Sequence, residues 1–305
     1  MSEEILKLTD ELVQLITHHI SKDGVFSTAI PSLALVRRSH VSDRIFRVYN
    51  PSLCFIAQGL KEVFLGQERY EYGPADYLIS SMQLPVVGQI ITSSPDAPFL
   101  SIKLNFTKEQ IFEVLNSSEI QLNKQDDVRR ALFVGQIEIS ILDSIVRLVR
   151  LLDTPDDIAY LAPFYTKEIL YRVLQGKYGS ALANIALEES SIFQIRQVIE
   201  HIMSHSNESL RIEKLAEIAN MSISSFYRNF KEVTAMSPIQ FQKQLRLQEA
   251  RSLLISESAD ASDVAFRVGY ESISQFSREY ARTFGYPPKT DVKRLKELYD
   301  QRTNI

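Results

Sequence analysis

Cys54 is the single cysteine in this chain of 305 residues, which excludes intramolecular disulfides and cysteine-rich zinc sites and fits a cytoplasmic protein. Long apolar runs are missing too. None approaches the roughly 18 residues that a membrane-spanning helix needs, so no membrane partner is expected. The N-terminus, Met1-Ser-Glu-Glu, is acidic and leads into a Leu/Ile-periodic helix, unlike a secretory signal. Histidine is scarce. His18 and His19 lie in the N-terminal helix, His40 stands alone in a β-rich region, and His201 and His205 precede a helical C-terminal part. The last two, four apart, are either a solvated helix face or a two-ligand metal site. A metalloenzyme centre needs several His with a carboxylate, and no Gly-rich phosphate loop or nucleophile motif is present. The expectation is therefore no catalytic residue, no cofactor and no metal.

Net charge is only −4, but it is unevenly spread. Residues 1–189 carry 18 Lys/Arg against 24 Asp/Glu, and residues 190–305 carry 16 against 14. The C-terminal part is the mildly basic one. Hydrophobic content of 45% and charged content of 24% are those of a globular protein, and the length allows two cores.

Residues 3–20 place Ile5, Leu8, Leu12, Leu15 and Ile16 on one helical face. From about 31 to 106 the texture becomes short β-rich runs: Leu33–Val36, Ser52–Gln58, Glu62–Leu65, Arg69–Tyr72, Tyr77–Ser80, Val86–Thr92 and Phe99–Phe106. Turn residues such as Gly59, Gly66 and Gly73-Pro74 separate them, as in a sandwich, jelly roll or small barrel. No strand is expected after Phe106. Thr107–Leu115 and Ile137–Leu152 read as helices, and Asp153-Thr-Pro155 breaks the second before another helical stretch to Gln175. Ile141, Ile145, Leu148 and Leu152 recur at 4-3-4 spacing, which suits either packing on the β-domain or a dimer seam. From about 190 onward every segment reads as helix.

That helical part contains a duplication. Ser222-Ile-Ser-Ser-Phe-Tyr-Arg228-Asn-Phe230 recurs fifty positions later as Ser272-Ile-Ser-Gln-Phe-Ser-Arg278-Glu-Tyr280. Each copy opens with a serine able to cap a helix. Ile223, Phe226 and Phe230, like Ile273, Phe276 and Tyr280, form the face assigned inward. A helix precedes each copy, and the turns carry Asn220 and Gly269, residue types that accept a left-handed backbone. Small residues at Ala216 and Ala265 allow the close helix crossing of a helix-turn-helix. A connecting helix spans Ser237 to Ser256. Its twenty residues measure about 30 Å, close to the roughly 34 Å of one DNA turn.

Two such units point to double-stranded DNA as partner. Helix phase puts Ser224, Ser225, Tyr227 and Arg228 of the first unit, and Ser274, Gln275, Ser277 and Arg278 of the second, on the face toward the bases. Arg pairs with guanine, Gln with adenine and Ser with bases or phosphates. Ser222, Lys231, Lys243, Ser272, Arg282 and Lys289 are candidates for phosphate contacts, which position without specifying. The plain alternative for each is a solvated residue, or an Arg paired with Glu232 or Glu279.

At these residues the sequence resembles the AraC/XylS family of bacterial transcription regulators. Leu215-Ala216, Met221-Ser222, Phe226, Arg228, Phe230, Ser237-Pro238, Phe241, Arg246-Leu247, Ala250, Leu253-Leu254, Ala265, Val268-Gly269-Tyr270, Ser274, Phe276-Ser277-Arg278, Phe284-Gly285 and Pro288 carry the likeness over about 195–290. Ala235 departs from it, standing where the family commonly has Gly. A second likeness, to the sensory domain of one family branch, rests on Tyr49-Asn-Pro-Ser-Leu-Cys-Phe-Ile-Ala-Gln-Gly59, Lys61, Leu65-Gly66, Tyr77-Leu78 and Leu84-Pro-Val-Val.

The resemblance implies a two-domain α+β protein. A cupin-like jelly roll with helices that often dimerise would occupy 1–185. A DNA-binding domain would occupy 190–300, with its units at about 211–233 and 261–284 and the linker helix at about 237–256. It further implies that Ile273 joins the DNA-facing set, against the phase assignment above. A promoter or operator, a small-molecule effector, RNA polymerase and a second copy of the chain are the expected partners.

Cys54, Phe55, Phe64, Tyr70, Tyr72, Tyr77 and Phe99 either wall an effector pocket or pack a core. Cys54 is a buried structural thiol or a sensor of oxidants or electrophiles. A constitutive DNA binder whose N-terminal domain only dimerises, and a cupin-type metalloenzyme, are the competing functions.

Overall fold

The computed structural model describes residues 2–118, 120, 129–183, 186, 190–257 and 259–303. They form two compact units, Met1–Arg196 with Arg228–Ala235, and Gln197–Tyr227 with Met236–Ile305. Residues 228–235 join the first unit beside 129–131, where the Ala131 N–H donates to Val233 O at 3.0 Å. The expected domain boundary near 185–190 falls largely on residues outside the described set.

The first unit opens with helix α1 (Glu3–His19), capped by Ser2, and continues through strands β1 (Gly24–Ser27), β2 (Leu33–Arg38), β3 (Ile45–Tyr49), β4 (Ser52–Gln58), β5 (Leu60–Leu65), β6 (Glu68–Tyr72), β7 (Asp76–Ser80), β8 (Leu84–Thr92) and β9 (Phe99–Asn105). Helix α2 (Lys108–Ser117), strand β10 (Leu132–Gln136), helix α3 (Ile139–Arg150), helix α4 (Pro155–Gln175) and the short α5 (Gly179–Ala183) complete it. The strands make two antiparallel sheets, ordered β1-β2-β9-β4-β7-β10 and β3-β8-β5-β6. Two sheets with non-sequential neighbours are the jelly-roll arrangement expected of the sequence.

The larger sheet is covered by helices on one face. Leu33, Leu35, Leu53, Phe55, Leu100, Ile102 and Leu104 share one buried cluster with Leu12 and Ile16 of α1, Ile141, Ile145 and Leu148 of α3 and Ile169 of α4. Each such side chain contributes about 1.5–3 kcal/mol when fully buried. Strand β4 reads Ser-Leu-Cys-Phe-Ile-Ala-Gln, nearly apolar throughout, because its other face turns to the second sheet. The 4-3-4 seam of α3 is used inside its own domain: Ile141, Ile145 and Leu148 are buried and Leu152 packs against the same cluster.

Three strands were not foreseen. β1 and β3 are edge strands of four and five residues with half-buried patterns. β10 overturns the expectation that no strand follows Phe106; it pairs antiparallel with β7 and closes that edge of the larger sheet. Its run Ala131-Leu-Phe-Val lies just before a helix, and a short apolar run has no periodicity that separates strand from helix.

The second unit is helical: α6 (Ser191–Ser204), α7 (Ile212–Ile218), α8 (Ile223–Thr234), α9 (Pro238–Ser256), α10 (Ala261–Arg267), α11 (Ile273–Phe284) and α12 (Pro288–Thr303). α6 begins and α8 ends within residues of the first unit.

Candidate nucleic-acid interface

Both helix-turn-helix units form where the repeat places them. α7 leads through Asn220, at φ 49°, into α8, and α10 leads through Gly269, at φ 87°, into α11. Met221 N–H donates to Ala216 O, and Tyr270 N–H to Ala265 O, both at 2.9 Å. The small residues noted in the sequence thus accept the turn hydrogen bonds themselves. Ser222 Oγ accepts from Ser225 N at 3.4 Å, and Ser272 Oγ from Gln275 N at 3.3 Å. The two serines named as phosphate candidates therefore cap their helices while remaining exposed.

Along α8, Ser224 and Arg228 are exposed and Ser225 and Tyr227 half-buried; along α11, Ser274, Gln275 and Arg278 are exposed and Ser277 half-buried. Phe226, Phe230, Phe276 and Tyr280 are fully buried. The phase assignment fails at one repeated position: Ile223 and Ile273 are 45% and 41% exposed instead of inward. Each is the first residue of its helix. The 3.6-residue pattern there no longer meets the preceding helix, so the apolar side chain projects past the crossing.

Several polar side chains have internal partners. Gln275 donates to Glu279 Oε1 at 3.4 Å, Arg278 Nε to Ser274 O at 3.2 Å, Lys243 lies 4.0 Å from Glu279 and Lys289 3.7 Å from Asp260. Lys231 and Arg282 are both exposed. Surface pairs of this kind stabilise by about 0–1 kcal/mol, so they yield readily to a phosphate. Asp260 caps α10 through Ser262, whose hydroxyl and N–H hold the Asp260 carboxyl below its usual range.

The connecting helix α9 has nineteen residues, starting just after its N-cap Ser237, which forms a capping box with Gln240. At 1.5 Å per residue it is about 28 Å long. Arg246, noted in the sequence only as part of the family pattern, is its central fastening. Its guanidinium donates to Ser206 O at 2.6 Å, Glu208 O at 2.8 Å and Gly269 O at 2.9 Å. Gln242, one turn earlier, donates to the same Ser206 and Glu208 carbonyls. A Cβ on Gly269 would lie 2.1 Å from Asn207 O, so the second turn needs glycine for space as well as for its positive φ. Arg251 pairs in bidentate fashion with the fully buried Asp291, which also accepts from Tyr280 Oη at 3.0 Å. This joins α9, α11 and α12.

In the β-domain the pocket candidates part company. Phe55 and Tyr77 belong to the core under the helices. Phe64 lies beneath Arg44, 5.1 Å from its guanidinium carbon, and the Tyr70 hydroxyl donates to Glu68 at 2.8 Å. Cys54, Tyr72 and Phe99 occupy strand positions of the opposite alternation or sheet, Phe99 lying against Gly59. The Cys54 thiol is pushed above its ordinary value by burial, with Lys61 and Lys103 acting against that. Among the described residues no group of three or more His, Cys, Asp and Glu is placed to hold a metal, and no helix is long and apolar enough to cross a membrane.

Comparison with known proteins adds the following. The profile described as AraC-type transcriptional regulator N-terminus matches residues 29–181, and one described as helix-turn-helix domain matches 215–294. The HTH-type transcriptional activator RhaS of Escherichia coli (strain SE11) is 24% identical over 168 residues, covering 54% of this chain and 59% of the relative. The chain thus spans less than two thirds of the length of the curated relatives it matches. Among solved structures, apo ToxT K231A from Vibrio cholerae strain SCE256 superposes with a TM-score of 0.53 at 11% identity, covering 86% of this chain and 97% of ToxT. Wild-type ToxT of the same strain with an unsaturated fatty acid bound gives 0.53 at 11% identity, over 85% and 94%. These likenesses concern the fold.

Proposed function

The chain belongs to the AraC-type transcriptional regulators, and from that premise we propose that it binds promoter DNA sequence-specifically through its two helix-turn-helix units, under the control of a small molecule held in the N-terminal β-domain. One observation carries the DNA reading: a fifty-residue duplication that repeats turn, cap, buried aromatics and exposed Arg at matching positions. Arg228 and Arg278 supply the bidentate geometry that reads guanine, and Gln275 that which reads adenine. Lys231, Lys243, Arg282 and Lys289 supply phosphate contacts that set register. Ser225 against Gln275 and Tyr227 against Ser277 make the two half-recognitions unlike, so the site is asymmetric within each protomer.

Control by a ligand draws support from the two-sheeted β-domain and from the fatty acid held by ToxT, a relative in fold. In this reading the chain is a regulator and not an enzyme, acts in the cytoplasm where promoter DNA is, and works with RNA polymerase. A homodimer would use a surface other than the α3 seam; Tyr160 and Phe164 on α4, 72% and 54% exposed, are available to it. Genome-wide mapping of bound DNA, followed by titration of the purified chain on the sites found, tests the function. Discrete sites with a shared asymmetric motif are expected. Uniform, salt-limited binding to any sequence would overturn it, and binding that no metabolite alters would leave a constitutive DNA binder.

A further inference from the structure

Sheet register brings a polar cluster into the space between the two sheets. Leu53 and Phe55 face the helices, so alternation turns Cys54 the other way, together with its cross-strand partners Lys103 and Leu78. The facing sheet answers with Lys61, registered against Tyr72 on one side and Ile90 on the other. Lys61 Nζ donates to Tyr49 Oη at 2.9 Å and lies 5.5 Å from the centre of that ring. A Cβ on Gly88 would approach Lys61 Cε to 3.2 Å and Tyr49 Oη to 3.4 Å, so the glycine makes room for the pair.

Charge and room set this cluster apart. Among the described residues neither Lys61 nor Lys103 forms an ion pair, whereas the buried carboxylates Glu62 and Asp291 each have an arginine. Burial pulls the Lys61 ammonium down, yet the Tyr49 oxygen that accepts its hydrogen bond helps hold it above its ordinary value. Lys61 and Lys103 are half-buried, and a cation partly withdrawn from water without a counter-charge is disfavoured. As for room, β4 is flanked by β9 and β7 and covered by helices on its outer face, yet Cys54, Lys61 and Lys103, all turned to the inner side, are each only half-buried. The remaining wall there is aliphatic, formed by Val63, Leu78, Val86 and Ile90.

We propose that the effector is an apolar organic anion, its charged group seated on Lys61 and Lys103 and its hydrocarbon on the aliphatic wall; this rests on reading the β-domain as the effector-binding one. The anion supplies the counter-charge that the protein omits. Tyr49 holds the Lys61 ammonium in place and offers its hydroxyl to the same group.

The test uses the full chain and a matched pair of dyes, anilinonaphthalene sulfonate and its uncharged parent phenylnaphthylamine, titrated by fluorescence at neutral pH. The sulfonate should bind at least about tenfold more tightly than the parent. Lys61→Met should remove that advantage and leave the parent's affinity unchanged, and Lys61→Arg should restore most of it. Lys103→Met gives the same reading should Lys61→Met not fold. Equal binding of both dyes, insensitive to Lys61 and Lys103, overturns the anion assignment alone and leaves a neutral effector pocket. Failure of the folded chain to hold either dye overturns the assignment and the effector reading together.

Discussion

Ala235 and Gly285, fifty residues apart at the ends of equivalent helices, both have left-handed backbones, with φ of 59° and 84°. That conformation costs an L-residue about 1–2 kcal/mol and glycine nothing comparable. A Cβ built on Gly285 meets nothing within 4 Å, so only the backbone separates the two residues there. Ala235→Gly should therefore raise stability by roughly 0.5–1 kcal/mol after the entropy that glycine adds to the unfolded chain, and Gly285→Ala should lower it by about as much. Urea denaturation measures both. A less stable Ala235→Gly variant would contradict the argument.

Arg246 satisfies three backbone carbonyls at once, from Ser206, Glu208 and Gly269. Burial lowers its guanidinium below the usual value without neutralising it. Arg246→Met removes three charged donors, leaving Ser206 O and Glu208 O to Gln242 alone, and should cost about 3 kcal/mol; Arg246→Lys, a point donor, should recover only part. Thermal melting of the full chain, followed by the helical signal, is the readout. If Lys substitutes without loss, the fork geometry is not what fastens the second turn.

Arg228→Ala and Arg278→Ala should each weaken binding to a specific site by roughly 1–3 kcal/mol and relax preference at one base position. Lys243→Ala should act differently, weakening all sequences alike and reducing the salt slope by about one. Competition binding across a panel of single-base variants separates the two behaviours. A uniform loss for Arg228→Ala or Arg278→Ala would move that residue to the phosphates.

The difference between what was legible and what was not follows strand faces and helix ends. Ser52–Gln58 was readable as a strand to the residue because a central strand is apolar on both sides and bounded by Pro51 and Gly59. β1 and β3, half-buried at sheet edges, have weak alternation and no such contrast. The duplication exposed both helix-turn-helix units directly, since turns and buried aromatics recur with the period of the repeat. Pocket residues were chosen by aromatic type, and type does not reveal which face of a strand a side chain occupies; Phe55 and Tyr77 therefore lie under the helices. Lys61 escaped notice as a site for the same reason. Its inward position depends on the pairing of β5 with β6 and β8, a long-range register that local composition does not encode.

Cys54 offers a test by pH. Burial raises its thiol, so the folded chain holds the proton to higher pH than the unfolded chain does. Any stability linked to it is complete below the unfolded value and lost as pH rises through the folded one. Only the thiolate reacts, and the raised thiol depletes it. Alkylation by iodoacetamide in the native chain at mildly alkaline pH should therefore be at least about tenfold slower than in urea. Reaction at the unfolded rate would restore the electrophile-sensor reading.

Asp291 has no exposed surface, and three groups converge on it: Arg251 by two hydrogen bonds at 2.7 and 3.0 Å, Tyr280 Oη at 3.0 Å, and Arg294 at 3.7 Å. Burial and this carboxylate together keep the Tyr280 phenol protonated well above its ordinary range. Removing one partner of a buried pair strands the other charge, so Asp291→Ala should cost about 3–5 kcal/mol and loosen α12 from α9 and α11. Tyr280→Phe removes one neutral donor and should cost only about 1 kcal/mol. The ordering is the test, because simple loss of packing predicts the opposite for these side chains: Asp291 is small, whereas Tyr280 is a fully buried aromatic. Hydrogen exchange on α12 in the Asp291 variant should rise before global unfolding. Equal costs for the two substitutions would mean that the ion pair is not what holds the last helix.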